Sequence, residues 1–169
     1  MKIKLLKSLF LILFSFTQFC FSQVFSETFL KQNAKIIISQ SKTCVLTTIN
    51  NQGAPSSRIM DPFIPNNDLI VYLVTNPQSR KVSEIKKDPR VSLIFQNLNG
   101  YVSISGKVTF ISKKLNKNFW KKEWNPYYKN KDTAQILKVT PLVLEIINSD
   151  VGIVGDNETW SPVKINFEY

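Results

Sequence analysis

The chain has 169 residues, with 22 Lys and Arg against 12 Asp and Glu, and a formal net charge of +10 at pH 7. It has no histidine and two cysteines, which excludes histidine-based catalysis, Ser-His-Asp triads and haem ligation by histidine, and nearly excludes zinc and iron–sulfur sites. We therefore expect no metal site, and we expect any chemistry to depend on a bound organic cofactor.

The first 22 residues are typical of a secretory signal peptide. Three lysines precede a short apolar run over residues 9–16, and the small residues Cys20 and Ser22 stand just before the expected cleavage site. The apolar run is shorter than the roughly 20 residues of a membrane span, and an uncleaved anchor is the alternative. We expect an exported protein, periplasmic or secreted, whose mature chain over residues 23–169 is a single domain.

The mature chain has the pattern of short strands joined by hairpin turns, with few helices. The segment from Asn50 to Gly53 indicates a hairpin turn, and Gly106 within a long strand indicates a bulge or a sharp bend. In chain order, the predicted elements are a helix over 27–39, strands over 43–49, 56–60 and 69–74, a short helix after residue 79, strands over 90–95 and 101–111, a basic helix within 113–131, a short helix around 133–137, a strand over 142–147 and an edge strand in the tail. This pattern predicts a mainly β (α+β) fold, a small antiparallel barrel surrounded by helices.

The segment from Thr75 to Lys81 is the strongest candidate for a binding site. Ser79 is a good helix N-cap, which places Arg80 and Lys81 in the first helical turn. Cations are unfavourable there by roughly 0.3–1 kcal/mol each unless something neutralises them, because the helix dipole is already positive at this end. A bound anion reverses the sign, since backbone N–H groups, dipole and side chains then act together. We predict a phosphate seat; the alternative is that both side chains extend into solvent.

Lysines and aromatic residues alternate over residues 113–131, a composition that also occurs in nucleic-acid-binding segments. Export argues against that role, and we expect no nucleic-acid partner. An amphipathic helix with Phe119 facing inward is the main interpretation, and attraction to an acidic surface or an anionic ligand is the alternative. Trp120, Trp124 and Tyr128 either pack this helix on the barrel or form a wall over a bound ring system.

Two further side chains have possible chemical roles. Cys44 lies in an apolar run and is expected to be a buried, inert thiol. Asp61 is a possible general base, but its position before Pro62 favours a turn-forming role.

Several of these motifs, in this order and spacing, resemble the pyridoxamine 5′-phosphate oxidase superfamily, the FMN-binding split barrels. The matching strings, over about residues 42–147, are Arg58-Ile59-Met60, Thr75-Asn76, Ser79-Arg80-Lys81, Asp88-Pro89-Arg90-Val91-Ser92-Leu93 and Gly106. A second set looks like the general stress protein 26 branch: Phe119-Trp120, Trp124, Tyr127-Tyr128, Leu137-Lys138-Val139-Thr140-Pro141 and Glu145.

The resemblance implies a six-stranded split barrel that forms a homodimer, with an FMN site at each of two positions between the subunits. FAD or a deazaflavin is the alternative cofactor. The residues implied in cofactor binding are Arg58, Arg80 and Lys81 at the phosphate, Ser79 as an added hydrogen bond to it, Ile59, Met60, Val74 and Thr75 along the ribityl chain and ring, and Tyr101 where the true oxidase has a flavin-contacting glutamine.

The chain departs from the true oxidase in its substrate-binding parts. The C-terminal Arg-x-His motif is absent, and residues 113–131 do not match the segment that binds the substrate phosphate. We therefore reject pyridoxamine phosphate oxidation and expect an exported FMN-binding oxidoreductase acting with a small-molecule substrate or reductant. The alternatives are a non-catalytic flavin-binding or carrier protein, and a scaffold that has lost its ligand.

Overall fold

The computed structural model describes residues 25–111, 119–128 and 133–168. The predicted signal peptide over 1–22 lies outside the described residues, as do 113–118 and 129–131 of the predicted basic helix. The elements are α1 (Glu27–Gln40), β1 (Cys44–Ile49), β2 (Pro55–Met60), β3 (Val71–Thr75), α2 (Arg80–Lys87), β4 (Arg90–Gln96), β5 (Gly100–Ile111), a 3-10 helix (Lys122–Tyr127), β6 (Gln135–Asn148), a 3-10 turn (Ser149–Val151) and β7 (Val163–Asn166). Within this described part, the helices are too short or too polar to cross a membrane.

The strands form one antiparallel sheet, in which six strands have the order β2-β1-β4-β5-β6-β3. The seventh strand, β7, pairs with β6 and is not part of this order. The two ends of the path meet after β2, where Pro62 bridges Leu73 and the Phe63 N–H donates to the Tyr72 carbonyl at 3.0 Å. This contact closes six strands into a barrel, which confirms the predicted fold class. The strand in the tail is also confirmed as β7.

The barrel interior is filled by the inward-facing residues of every strand. Leu46, Leu73, Leu93, Phe95 and Ile104 are among the largest side chains that are fully buried. Burial of each such side chain stabilises the fold by about 1.5–3 kcal/mol, since it removes apolar surface from water.

Helix α1 covers one side of the barrel, over β4, β5 and β6. Its apolar face buries Leu30, Ala34, Ile37 and Ile38, and the Ser26 hydroxyl caps its first turn by accepting from the Phe29 N–H at 3.2 Å. The predicted helix over 27–39 is therefore confirmed, because apolar spacing and capping residue agree on the same start.

The predicted bulge at Gly106 is confirmed. The register between β5 and β6 shifts between Ser105 and Gly106. A Cβ at Gly106 would lie 2.4 Å from the Thr140 carbonyl oxygen, so only glycine lets the two backbones approach this closely.

One predicted helix is wrong, and a second, the basic helix, is described only in part. Residues 135–137 are the start of β6, because Gln135 pairs with Thr75 of β3 and Ile136 with Ile111 of β5, and these ladders outweigh a local helical preference. The predicted strand over 142–147 is only the second half of β6. The described part of the predicted basic helix is not α-helical but contains a 3-10 helix over Lys122–Tyr127, with Pro126 inside it.

Candidate phosphate-binding site

The start of α2 meets β1, β2 and the end of β3 at one end of the barrel. Val82 and Ile85 bury the apolar side of α2, and the helix packs on β1. This packing directs the opposite edge of its first turn toward β2, where Arg58 occupies an inward position between exposed neighbours.

A buried carboxylate, Glu84, organises this region. Its Oε2 accepts hydrogen bonds from the Thr48 hydroxyl at 2.6 Å and from Nη2 of Arg58 at 2.8 Å. Its Oε1 lies 3.2 Å from Nε of Arg80, an ion pair without hydrogen-bond alignment. Burial raises the pKa of Glu84, but the bonds from Thr48 and Arg58 and the charges of both arginines outweigh burial, so its pKa lies below the usual value.

Arg58 and Arg80 converge on a second shared partner, the hydroxyl of Ser56. Nη2 of Arg58 lies 3.1 Å from this oxygen and Nη2 of Arg80 lies 3.3 Å from it. Arg58 also donates from Nη1 to Thr48 at 2.5 Å. The Arg58 side chain is only 17% exposed, whereas that of Arg80 is 75% exposed, so one guanidinium is fixed and the other lies at the mouth of the site.

Lys81 completes the group of cations. Its Nζ donates to the Thr75 hydroxyl at 3.0 Å, and that hydroxyl lies 3.3 Å from the Ser79 hydroxyl. Burial lowers the pKa of Lys81, as do the charges of Arg58 and Arg80, and the carboxylate of Glu84 opposes them in part. The predicted residues Arg58, Thr75, Ser79, Arg80 and Lys81 therefore lie together.

Ser79 has the predicted position but a different hydrogen bond. It is the N-cap residue of α2, with extended backbone at φ −70° and ψ 146°, yet its side chain makes no cap hydrogen bond to the helix. Its hydroxyl faces Thr75 instead, on the same side as the Lys81 ammonium. The first N–H groups of a helix have no partner within the helix, so this end retains its capacity to bind an anion.

The charges of the site add up to a net +2 from three cations, Arg58, Arg80 and Lys81, and one carboxylate, Glu84. A phosphate monoester carries about −1.5 to −2 at neutral pH and presents three acceptor oxygens. The residues present therefore fit a phosphate monoester in both charge and donor type.

The remaining predicted cofactor residues lie outside this cluster. Met60 and Val74 are buried, and Ile59 points to the outer face of β2 with 64% of its surface exposed. Tyr101 is the second residue of β5, where it pairs with Gln96 and Ile147, three strands away from β2 in the sheet order. Within one chain, Tyr101 does not lie with the cations.

Asp61 is held in an ion pair with Lys121, and its Oδ2 accepts from Nε1 of Trp124 at 2.7 Å. Nζ of Lys121 also donates to the Pro62 carbonyl at 2.9 Å and lies 5.2 Å from the centroid of the Phe63 ring. These contacts use both carboxylate oxygens of Asp61. They favour a structural role, in which Asp61 holds the 119–128 segment, over a role as a general base.

The aromatic residues of this segment form a second, smaller core on the outer face of β3 and β6. Its buried members are Val74, Ala134 and Ile136, and the aromatic side chains packed on them are Phe63, Tyr72, Phe119, Trp120, Trp124 and Tyr128. Packing of Trp120, Trp124 and Tyr128 on the barrel is therefore confirmed, and their role as a wall over a bound ring remains a prediction.

A family profile described as pyridoxamine 5′-phosphate oxidase matches residues 30–147, well over half of the chain. The chain belongs to the pyridoxamine 5′-phosphate oxidase family. This membership confirms the resemblance found in the motifs, and members of the family commonly bind flavin.

Solved structures share the fold of this family member. General stress protein 26 from Bacillus anthracis is 22% identical, with a TM-score of 0.66 over 82% of this chain and 98% of its own. A protein related to general stress protein 26 from Clostridium acetobutylicum is 15% identical, with a TM-score of 0.68 over 83% and 96%. A candidate 5-nitroimidazole antibiotic resistance protein from Bacteroides thetaiotaomicron is 20% identical, with a TM-score of 0.56 over 68% and 81%. No curated protein matches the sequence significantly.

Sequence reasoning missed three residues of the site in this pyridoxamine 5′-phosphate oxidase family member: Glu84, Thr48 and Ser56. The spacing between Arg80 and Glu84, four residues within one helix, indicates an ion pair and was available as a signal. Thr48 and Ser56 gave no such signal, because their roles depend on the register between β1 and β2, which pairs these two residues.

Proposed function

We propose that this protein is an exported, homodimeric FMN-binding oxidoreductase that is not a pyridoxamine phosphate oxidase. The observation that supports it is the convergence of Arg58, Arg80 and Lys81 at the start of α2, in a chain whose family commonly binds flavin. FMN ends in a phosphate monoester, which is the group that this cluster fits.

The side chains would divide the binding of FMN between them. Arg58 and Arg80 offer guanidinium groups suited to bidentate contacts with phosphate oxygens, and Lys81 adds a point charge. The hydroxyls of Thr75 and Ser79 lie beside that charge. Met60, two residues after Arg58, and Val74, next to Thr75 in the sequence, are buried and would contribute backbone groups and apolar surface along the rest of the cofactor.

A bound flavin supplies electron and hydride transfer, and the chain supplies binding, orientation and exclusion of water. The sequence has no histidine, and Asp61 is engaged by Lys121 and Trp124. We therefore assign no general base to the protein and propose that a small-molecule substrate or reductant delivers the electrons.

The outer face of the sheet supports a homodimer. Ile59, Val45 and Ile94 pair across β2, β1 and β4 into one apolar row, in which Ile59 is 64% and Ile94 is 39% exposed. Tyr101 lies on the same outer face, because its neighbour Val102 points inward. A second copy seated on this face would cover the row and would allow Tyr101 to approach the cofactor of its partner.

The absorption spectrum of the purified mature protein tests this proposal. We expect a yellow protein that releases FMN, identified by mass spectrometry, and whose flavin is reduced by a chemical donor or NAD(P)H and then reoxidised by an acceptor. A flavin that binds but is not cycled favours the carrier alternative. A colourless protein without FMN affinity contradicts both and leaves the scaffold alternative.

Export is tested separately from flavin binding. We expect the protein recovered from cells to begin at about Gln23, as measured by intact mass, and to fractionate outside the cytoplasm. A mass that retains residues 1–22 on soluble cytoplasmic protein contradicts export and leaves the flavin proposal unaffected.

A further inference from the structure

Glu84 is the one side chain of the site that opposes an anion. Its carboxylate is 1% exposed and lies against two of the three cations, at 2.8 Å from Nη2 of Arg58 and 3.2 Å from Nε of Arg80. A buried acid costs free energy unless it is paired, and here it would also repel the ligand that the cations attract. Its presence in the site therefore needs an explanation beyond packing.

The hydrogen bonds of Glu84 keep it ionised. Thr48 donates to Oε2 at 2.6 Å and Arg58 donates to the same oxygen at 2.8 Å, while Oε1 is buried and has no aligned donor. A protonated carboxyl group would have to give up one of these accepted bonds or place a proton toward Arg80. At neutral pH the site therefore carries one negative charge beside three positive charges.

We infer that Glu84 is a specificity-determining residue that limits the site to a net charge of +2, so that it selects phosphate monoesters over more highly charged polyphosphates. The inference rests on the proposed phosphate seat and adds a role to it. Glu84 also holds the guanidinium group of Arg58 in place before the ligand arrives and attracts that of Arg80, because both lie against the same carboxylate.

A role in specificity and a purely structural role of Glu84 predict different changes in ligand affinity. A residue that only stabilises α2 alters affinity for every ligand by the same factor. A residue that sets the charge alters the preference between ligands of different charge, because the Coulomb energy scales with the charge of each ligand. The ratio of the affinities for two anions of different charge therefore tests this role, whereas the affinity for one anion alone does not.

The test uses inorganic phosphate and pyrophosphate as competitors of FMN bound to the purified mature protein, followed by flavin fluorescence. We expect Glu84→Gln, which keeps the shape and the acceptor oxygen, to raise the preference for pyrophosphate over phosphate by about fivefold or more. We expect Arg80→Gln, which lowers the net charge to +1, to reduce the same preference by about threefold or more. The double variant Arg80→Gln/Glu84→Gln restores a net charge of +2. It should therefore show the same preference for pyrophosphate over phosphate as the wild type.

Glu27→Gln is the matched control, since it removes the same charge from an exposed pair with Lys31 on α1, away from the site. It should leave the preference unchanged. An unchanged preference in Glu84→Gln overturns the inference. If that variant does not fold, Arg80→Gln decides the question, because an unchanged preference in a protein of reduced charge overturns it equally.

Failure of the proposed function has a different signature. Wild-type protein that binds riboflavin as tightly as FMN has no phosphate seat, and the proposed function then fails together with this inference. The second outcome is that the wild-type protein prefers FMN to riboflavin, while Glu84→Gln does not alter the preference between the two anions. In that case the proposed function stands and only the role of Glu84 is lost.

Discussion

Arg80 and Lys81 are adjacent residues in different surroundings. Arg80 is largely exposed and faces Ser56 and Glu84, whereas the half-buried Lys81 donates to Thr75. Both would form charge-assisted hydrogen bonds to the phosphate of FMN, each worth about 1.5–3 kcal/mol. We expect the double variant Arg80→Ala/Lys81→Ala to bind FMN more than tenfold more weakly in isothermal titration calorimetry.

The double variant Lys86→Ala/Lys87→Ala is the control for this prediction. It removes the same charge from the last turn of the same helix and should retain FMN affinity. Undiminished affinity in Arg80→Ala/Lys81→Ala would contradict the proposed phosphate seat.

Cys44 is expected to be chemically inert in the folded protein. Burial raises the pKa of its thiol to about 12, with the carboxylate of Asp61 adding to the effect and the Lys121 ammonium opposing it. Because the thiolate is the reactive form, we expect negligible alkylation of the Cys44 peptide by iodoacetamide at pH 8, and full alkylation in guanidinium. Mass spectrometry of the digested protein measures both, and rapid native modification would show that the thiol is accessible.

At the scale of the elements, sequence predicted what depends on local pattern and missed what depends on partners. The helix after Ser79 was predicted correctly because its N-cap position and its apolar spacing are both local features of the sequence. The start of β6 was missed because Gln135 and Ile136 are in a strand only through their pairing with β3 and β5. The carboxylate Glu84 was missed for the same reason as the start of β6, since its importance depends on Arg58, which is distant in sequence.

The 119–128 segment is attached to the barrel through Asp61, which contacts Lys121 and Trp124. We expect Asp61→Ala to loosen this attachment and destabilise the fold by about 1–2 kcal/mol, a value discounted because the pair is partly exposed. The readouts are a red shift in tryptophan emission and faster tryptic cleavage after Lys121 or Lys122. Asp68→Ala, in an exposed turn, should change neither, and unchanged emission in Asp61→Ala would show that aromatic packing alone holds the segment.

The bulge at Gly106 joins the two longest strands of the sheet. A methyl group there would meet the Thr140 carbonyl oxygen at 2.4 Å, and this oxygen belongs to the backbone and cannot move aside cheaply. We expect Gly106→Ala to cost about 2 kcal/mol or more in urea denaturation. Gly53→Ala is the comparison, because its positive φ of 81° has open space around it and should cost about 1 kcal/mol. Equal stability of the two variants would show that the strands can separate at the bulge.

At the scale of the whole molecule, the hairpin turns in the sequence predict an antiparallel barrel, but they do not predict where the barrel closes. The contact that closes it, between Pro62 and Leu73, is a single bridge whose residues give no sign of it in the sequence. The closure brings the end of β2 next to β3. The same alternation that fills the interior leaves Ile59, Val45 and Ile94 on the outside, and no local feature of the sequence showed that they form one row.

The proposed dimer depends on that outer row. We expect Ile59→Asp/Ile94→Asp to give a monomer in size-exclusion chromatography with light scattering, because two carboxylates buried between subunits would lack partners. FMN affinity should fall as well, since the proposed cofactor site lies between the subunits. Ile36→Asp is the control, because this residue is 48% exposed on α1 and does not belong to the row. A wild-type monomer that binds FMN with full affinity would instead mean that one barrel holds the cofactor alone, and Tyr101 would then have no part in binding it.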